Sequence, residues 1–141
     1  MKRWFTTAIV VFSIILASNV YAGQFYESFN FIGLWQGIDT VDGSEAQRSI
    51  TLNSDGTFNI IGREGYFSAC DGFRGILKGT GVLENGVLFF ENFEVTCFYE
   101  DGEESRIIPV KYIPDKFNGT IRERFIDEED IRTTYHKVSN R

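Results

Sequence analysis

The chain has 141 residues, a formal net charge of −6, and 43% hydrophobic and 16% aromatic residues. That length builds one hydrophobic core and excludes a second domain of ordinary size. The acidic balance argues against nucleic acid and anionic membranes as partners, since both carry the same sign of charge.

Lys2 and Arg3 are the only charges among residues 1–22. An apolar run over 8–16, interrupted only by Ser13, follows them, and Val20-Tyr21-Ala22 supplies a small-residue exit. This is the layout of a secretory signal peptide. The run is shorter than the roughly 20 apolar residues a spanning helix needs. No Cys directly follows the exit, so a lipid-anchored lipoprotein is not supported. The expected organisation is a signal peptide over 1–22 and a single domain over 23–141, periplasmic or secreted, with no membrane anchor after cleavage. Losing Lys2 and Arg3 moves the net charge from −6 to −8. The scattered acids read as a solvated face.

Residues 23–30 read as a short helix or a loose lead-in. Beyond them, strand-favouring Phe, Tyr, Ile, Val and Thr alternate with turn signals. The predicted strands cover 31–40, 47–53, 57–62, 73–82, 87–93, 94–99, 106–113, 120–125 and 132–138, with 65–69 as a further short strand or a loop. Six Asx-Gly pairs punctuate them: Asp42-Gly43, Asp55-Gly56, Asp71-Gly72, Asn85-Gly86, Asp101-Gly102 and Asn118-Gly119. Such pairs accept the positive φ of tight hairpin turns. Pro109 falls inside the predicted strand 106–113 and should mark an edge or a bulge, because it has no N–H for the ladder. No segment of ten or more residues shows helical period with good caps, which argues against parallel α/β folds.

Period-two alternation assigns the faces. Ile50 and Leu52 share one side, with Ser49, Thr51 and Asn53 on the other. Phe58 and Ile60 alternate with Thr57 and Asn59. Ile121, Glu123 and Phe125 share a side opposite Arg122 and Arg124. One buried and one wet face describe an antiparallel sheet around a single core. Eight or nine strands left flat would expose their edges, so the expected fold is all-β, an antiparallel meander closed into a barrel. A β-sandwich is the alternative.

Cys70 and Cys97 are the only cysteines. Export would place them in an oxidising compartment, where a Cys70–Cys97 disulfide is the simplest outcome. There is no CxxC and no second pair to complete a zinc site.

Gly33-Leu34-Trp35, followed by Gly37, Asp42-Gly43-Ser44 and Ser54-Asp55-Gly56-Thr57-Phe58, resembles the opening of lipocalins and avidin-like barrels, the calycin group. The resemblance spans about the first three strands and resembles small exported lipocalin-like barrels of unassigned role. It implies that Trp35 plugs one end of the barrel. It also implies a basic residue on a late strand, Arg124 or Arg132, packed over that ring as a cation–π contact. The chain departs from the pattern in lacking a C-terminal helix and the biotin-contact residues of avidins, and in being shorter than a typical lipocalin. The ligand is therefore left open, and Trp35 is read either as core or as a ligand contact.

A barrel of about eight strands holds either filling side chains or one small ligand. Trp35, Phe58, Phe90, Tyr99, Tyr112, Glu123, Phe125 and Tyr135 are the candidate lining. Glu123 facing inward must be paired or hydrogen-bonded and could then recognise a polar group. A one-residue slip would instead turn it outward and bring Arg122 and Arg124 in. Catalytic signatures are missing from the sequence. His136 is the only histidine, no Gly-x-Ser-x-Gly elbow occurs, and bonded cysteines are poor nucleophiles. Glu100-Asp101, Glu103-Glu104 and Asp127-Glu128-Glu129-Asp130 sit in turn-like stretches without calcium-loop spacing; solvated turns suit them better than a glycosidase pair. Asn118-Gly119-Thr120 is a glycosylation sequon, relevant only in a host that glycosylates exports. No cofactor or metal is expected. Two functions follow as expectations. One is a non-enzymatic barrel binding a small, partly apolar ligand in its interior. The other is a protein-interaction or hydrolase-inhibitor module of the cell envelope, acting through 62–72 with Tyr66 or Phe67. An enzyme using paired carboxylates ranks third.

Overall fold

The computed structural model describes residues 28–39, 43–64 and 70–139. The segment expected as a signal peptide, Asp42, the stretch 65–69, and Tyr66 and Phe67 within it lie outside the described residues. Ten strands follow one another: β1 (Gly33–Asp39), β2 (Glu45–Leu52), β3 (Phe58–Glu64), β4 (Arg74–Glu84), β5 (Val87–Phe90), β6 (Glu94–Tyr99), β7 (Gly102–Ile107), β8 (Val110–Asp115), β9 (Thr120–Phe125) and β10 (Thr133–Ser139). The described residues contain no helix.

All pairings are antiparallel, and the sheet order is β3-β2-β1-β10-β9-β8-β5-β4-β6-β7, with β3 also paired to β4. That extra pairing closes eight strands into a barrel. β5 and β6 run along the same edge of β4, and the register slips by one residue between Val82↔Phe89 and Lys78↔Glu94. β8 lies against β5 and β7 against β6. β5 with β6, and β7 with β8, are thus each one long strand with a bulge, and the fold is an eight-stranded meander from which the β6–β7 hairpin extends.

The stretch expected as one strand over 106–113 is therefore two, parted at Ile108-Pro109. Proline cannot donate to the ladder. Ile108 N donates to the Phe93 carbonyl at 2.8 Å, and the Pro109 carbonyl accepts from Ile126 N at 3.1 Å. Likewise the predicted strand 87–93 stops at Phe90, since 91–93 form the facing bulge.

The glycine of all six Asx-Gly pairs has positive φ. At Asn85 and Gly86 both residues do, at φ 50 and 79. That is the two-residue turn whose twist matches a hairpin. Asp71 and Gly72 likewise both have positive φ, at 48 and 96, and at Asp55-Gly56 a side chain closes the turn: Asp55 accepts from Thr57 N at 2.9 Å and from its hydroxyl at 2.6 Å.

Ile50, Phe58, Ile60, Leu88, Phe90, Val110 and Ile121 point into the barrel and are buried. Leu52, expected on the same face, is 52% exposed because β2 ends there and the chain enters a turn. Cys70, just before β4, bonds Cys97 of β6 with an S–S distance of 2.00 Å. Both sulfur-bearing residues are buried. The bond anchors the end of the β3–β4 connection to the barrel wall.

Candidate functional site

The interior is polar at its centre. Arg48 on β2 and Glu123 on β9 are both fully buried. The Arg48 Nε donates to Glu123 Oε2 at 3.0 Å and to the Tyr112 hydroxyl at 3.0 Å. Its Nη2 lies 3.3 Å from Glu123 Oε1, and its Nη1 donates to the Gln47 and Arg63 carbonyls at 3.0 Å each. Tyr112 also donates to Glu123, as does Tyr135 at 3.3 Å. Arg132, immediately before β10, completes the shell through Nη1 at 3.2 Å from Oε1.

The register explains the gathering. Tyr112 of β8 and Thr133 of β10 stand directly opposite Glu123 on its two neighbouring strands. Arg48 reaches across the lumen from β2, where its partner on β3 is Gly62. A Cβ at Gly62 would sit 2.2 Å from the Gln47 carbonyl and 3.1 Å from the Arg48 side chain. Glycine there is what lets the guanidinium stem lie flat.

Burial, the largest single influence, pushes the Glu123 carboxyl upward. Arg48, Arg132 and the Tyr112 hydrogen bond together outweigh it and hold Glu123 below its ordinary value. Burial, and next the Glu123 charge, push the Tyr112 phenol well above its ordinary value. Near neutral pH the carboxylate is ionised with donors on both oxygens, and the phenol keeps its proton. Such a cluster fixes strands to one another across the lumen. It is poorly suited to exchanging protons with a substrate.

The other sequence candidates divide between this cluster and the rest of the barrel. Trp35, Phe58, Phe90, Tyr112 and Tyr135 are buried, whereas Tyr99 and Phe125 are half-buried. Phe90 packs edge-on to Tyr112 at 5.7 Å, and Tyr112 to Tyr135 at 6.2 Å. Tyr99 leans on Phe73 at 5.1 Å, and Phe125 lies beneath the Arg132 guanidinium at 4.5 Å. Phe90, Tyr112 and Tyr135 touch one another and Phe125 touches Arg132 of the ion cluster, so side chains occupy the interior around Glu123. Glu123 faces inward, and Arg122 and Arg124 do not join it.

Trp35 is fully buried near the chain's entry into the barrel, its Nε1 donating to the Phe31 carbonyl at 2.8 Å, with Phe29 stacked at 6.0 Å. The cation over its ring is neither Arg124 nor Arg132. It is Lys137 of β10, at 4.8 Å, directly opposite Trp35 in the ladder. Lys137 Nζ also donates to the Asn30 and Ile32 carbonyls at 2.7 and 2.8 Å. Arg132 is held instead by Glu123 and Phe125, at the other end of β10.

Comparison of the chain with protein-family models, with curated proteins and with solved structures finds no match. The site must therefore be read from this chain's own geometry.

The acids stay apart. Glu100 and Asp101 occupy the β6–β7 turn, 127–130 the β9–β10 loop, and Glu103 and Glu104, expected in a turn, lie in the exposed strand β7. Among the described residues no group of three His, Cys, Asp or Glu side chains is arranged to share a metal ion. His136 is exposed on β10.

One feature of the outer wall escaped the sequence reading. A cavity of about 400 Å³ opens on the outside of β2, β3, β4 and β6, lined by Leu34, Ser49, Ile61, Arg63, Ile76 and Thr96 among others. Ile61 is 64% and Ile76 46% exposed. The ladder sets Ser49, Ile61, Lys78 and Glu94 in one row across these strands, and Gln47, Arg63, Ile76 and Thr96 in the next. The available signal was adjacency. In Ile60-Ile61 and Ile76-Leu77 both residues cannot face the core of a strand with period two.

Proposed function

We propose that this chain is an exported, non-enzymatic binding protein for a small, partly apolar ligand, and that the ligand seats in the outer groove over Ile61 and Ile76. The barrel interior, crossed by the Arg48–Glu123 cluster, is the rigid support. The observation that carries this reading is the pair of exposed isoleucines at the floor of a cavity of about 400 Å³. That volume lies in the range of small-molecule sites, roughly 300–1,000 Å³, whose linings are mainly apolar with a few placed polar groups. The interior candidates Phe90, Tyr112 and Tyr135 already spend their surfaces on one another.

The test uses Nile red, a neutral apolar dye whose emission rises when it leaves water. The folded protein should bind it with a single site. Ile61→Ser/Ile76→Ser, changes at exposed positions that leave the core intact, should abolish binding. Undiminished binding by that variant would move the ligand elsewhere and refute the assignment.

A protein partner at the envelope is a second reading, favoured by the free edge of β7. All six of its residues are exposed, and β6 is its only neighbour among the described residues. A strand added there would meet Glu103 and Glu104 and would need basic side chains. Charge reversal of these two glutamates should then abolish capture of the partner and leave Nile red binding unchanged.

A further inference from the structure

We infer that the groove selects an anionic single-chain amphiphile, its head group against Arg63 and its chain over Ile61 and Ile76. This rests on the groove being a ligand site, and it adds the sign of the ligand's charge.

The ladder places a cation directly across from each apolar floor residue: Lys78 opposite Ile61, and Arg63 opposite Ile76. Directly opposed residues on neighbouring strands stand about 5 Å apart at Cβ. An apolar chain covering both isoleucines therefore passes within reach of both charges. Two cations meet at this spot on a protein whose net charge is −6.

The two cations are not equivalent. Lys78 Nζ is 3.2 Å from Glu94, whose carboxylate stands opposite it on β6. Lys78 is 72% exposed and Glu94 half-buried at 33%, so the pair is held loosely, yet it sets a negative charge at that side of the groove. Arg63 is exposed and forms no ion pair with a described residue; the residue opposite it on β2 is the neutral Gln47. A planar guanidinium offers paired N–H groups to a carboxylate or sulfate. The head group thus belongs at the Arg63 side, and Glu94 repels it from the other. Ser49 and Thr96, short side chains beside the two isoleucines, leave the room that the chain occupies. A cavity of about 400 Å³ takes one short chain and not a bilayer surface.

The experiment displaces Nile red from the full chain with octanoate, octanol and octyltrimethylammonium. Octanoate should displace the dye at roughly tenfold lower concentration than octanol, and the cationic analogue should be weakest. Raising ionic strength should weaken octanoate and leave octanol unchanged. In Arg63→Gln, with the variant's own dye affinity measured first and used as its reference, octanoate should fall to the level of octanol. Equal displacement by the three compounds, or an octanoate preference that survives Arg63→Gln, overturns the inference and leaves the groove assignment standing. Failure of the wild-type protein to bind Nile red overturns both. Co-sedimentation with anionic phosphatidylglycerol vesicles, with no response to free octanoate, would assign the surface to a membrane and refute a single-molecule ligand.

Discussion

Replacing Arg48 with Met removes the guanidinium from a fully buried ion pair. Glu123 then keeps Arg132, at 3.2 Å, and the hydroxyls of Tyr112 and Tyr135, but loses its closest charge partner. The Gln47 and Arg63 carbonyls lose a donor as well. Breaking a buried pair from one side is destabilising by about 3–5 kcal/mol. The surviving contact to Arg132 puts Arg48→Met at the lower end, about 3 kcal/mol. For a domain of this size that lowers the midpoint of thermal unfolding by roughly 12 °C. Removing the central pair in Arg48→Met/Tyr112→Phe/Glu123→Leu should be gentler, because no carboxylate is left in the lumen, apolar groups of similar volume replace the pair, and Arg132, which loses Glu123, is 10% exposed and keeps the Phe125 ring beneath it. The triple variant should therefore lose less than Arg48→Met alone. Urea unfolding followed by the fluorescence of Trp35, the only tryptophan beyond residue 22, reads both values. A single variant losing under about 1 kcal/mol, or a triple variant losing the sum of its parts, would show that the cluster is not the charged strut described above.

The same groups set the response to pH. Glu123 is held below its ordinary value, so its contribution is fully present above the usual carboxylate range, near 4.3, and is lost as pH falls through the depressed folded value. Tyr112 is raised, so its contribution is complete below about pH 10 and is lost as pH rises through the folded value. Tyr112→Phe should flatten the alkaline limb of a stability–pH curve and leave the acid limb in place. Reducing the Cys70–Cys97 bond, or making Cys70→Ser/Cys97→Ser, releases a loop with a sequence separation of 27. Denaturant titration should show a loss of about 3.5 kcal/mol on the chain-entropy argument. Gly62→Ala drives a methyl into the Gln47 carbonyl at 2.2 Å and should lower the urea midpoint by an amount equivalent to about 2 kcal/mol. Lys137→Met uncovers Trp35 and frees the Asn30 and Ile32 carbonyls, so hydrogen exchange of residues 28–32 should accelerate while that of β4 stays slow.

Much of the fold was legible in the chain because its cues are local. An Asx-Gly pair specifies a turn through the φ values of two residues, and strict alternation specifies a strand's buried face. Eight strand positions follow from cues of this kind; the disulfide followed from an even cysteine count and expected export, and the direction of Glu123, which a one-residue slip would have reversed, needed the register of β9 against β8 and β10. The break at Pro109 was foreshadowed by its missing N–H, but its placement needed the facing bulge at 91–93. Arg48 carried a weaker trace: it stands two residues before Ile50 and so shares the buried face. A charge at that position is stable only because Glu123, 75 positions away in the chain, meets it across the lumen. Lys137 likewise became the cover of Trp35 only once β10 closed against β1. The groove is the clearest case. Ile61, Arg63, Ile76 and Lys78 occupy outward positions that alternation alone describes as wet. The pairing of β3 with β4 sets them into a grid of two apolar residues and two cations, and the register of that pairing is a relation between two strands that alternation within either one does not encode.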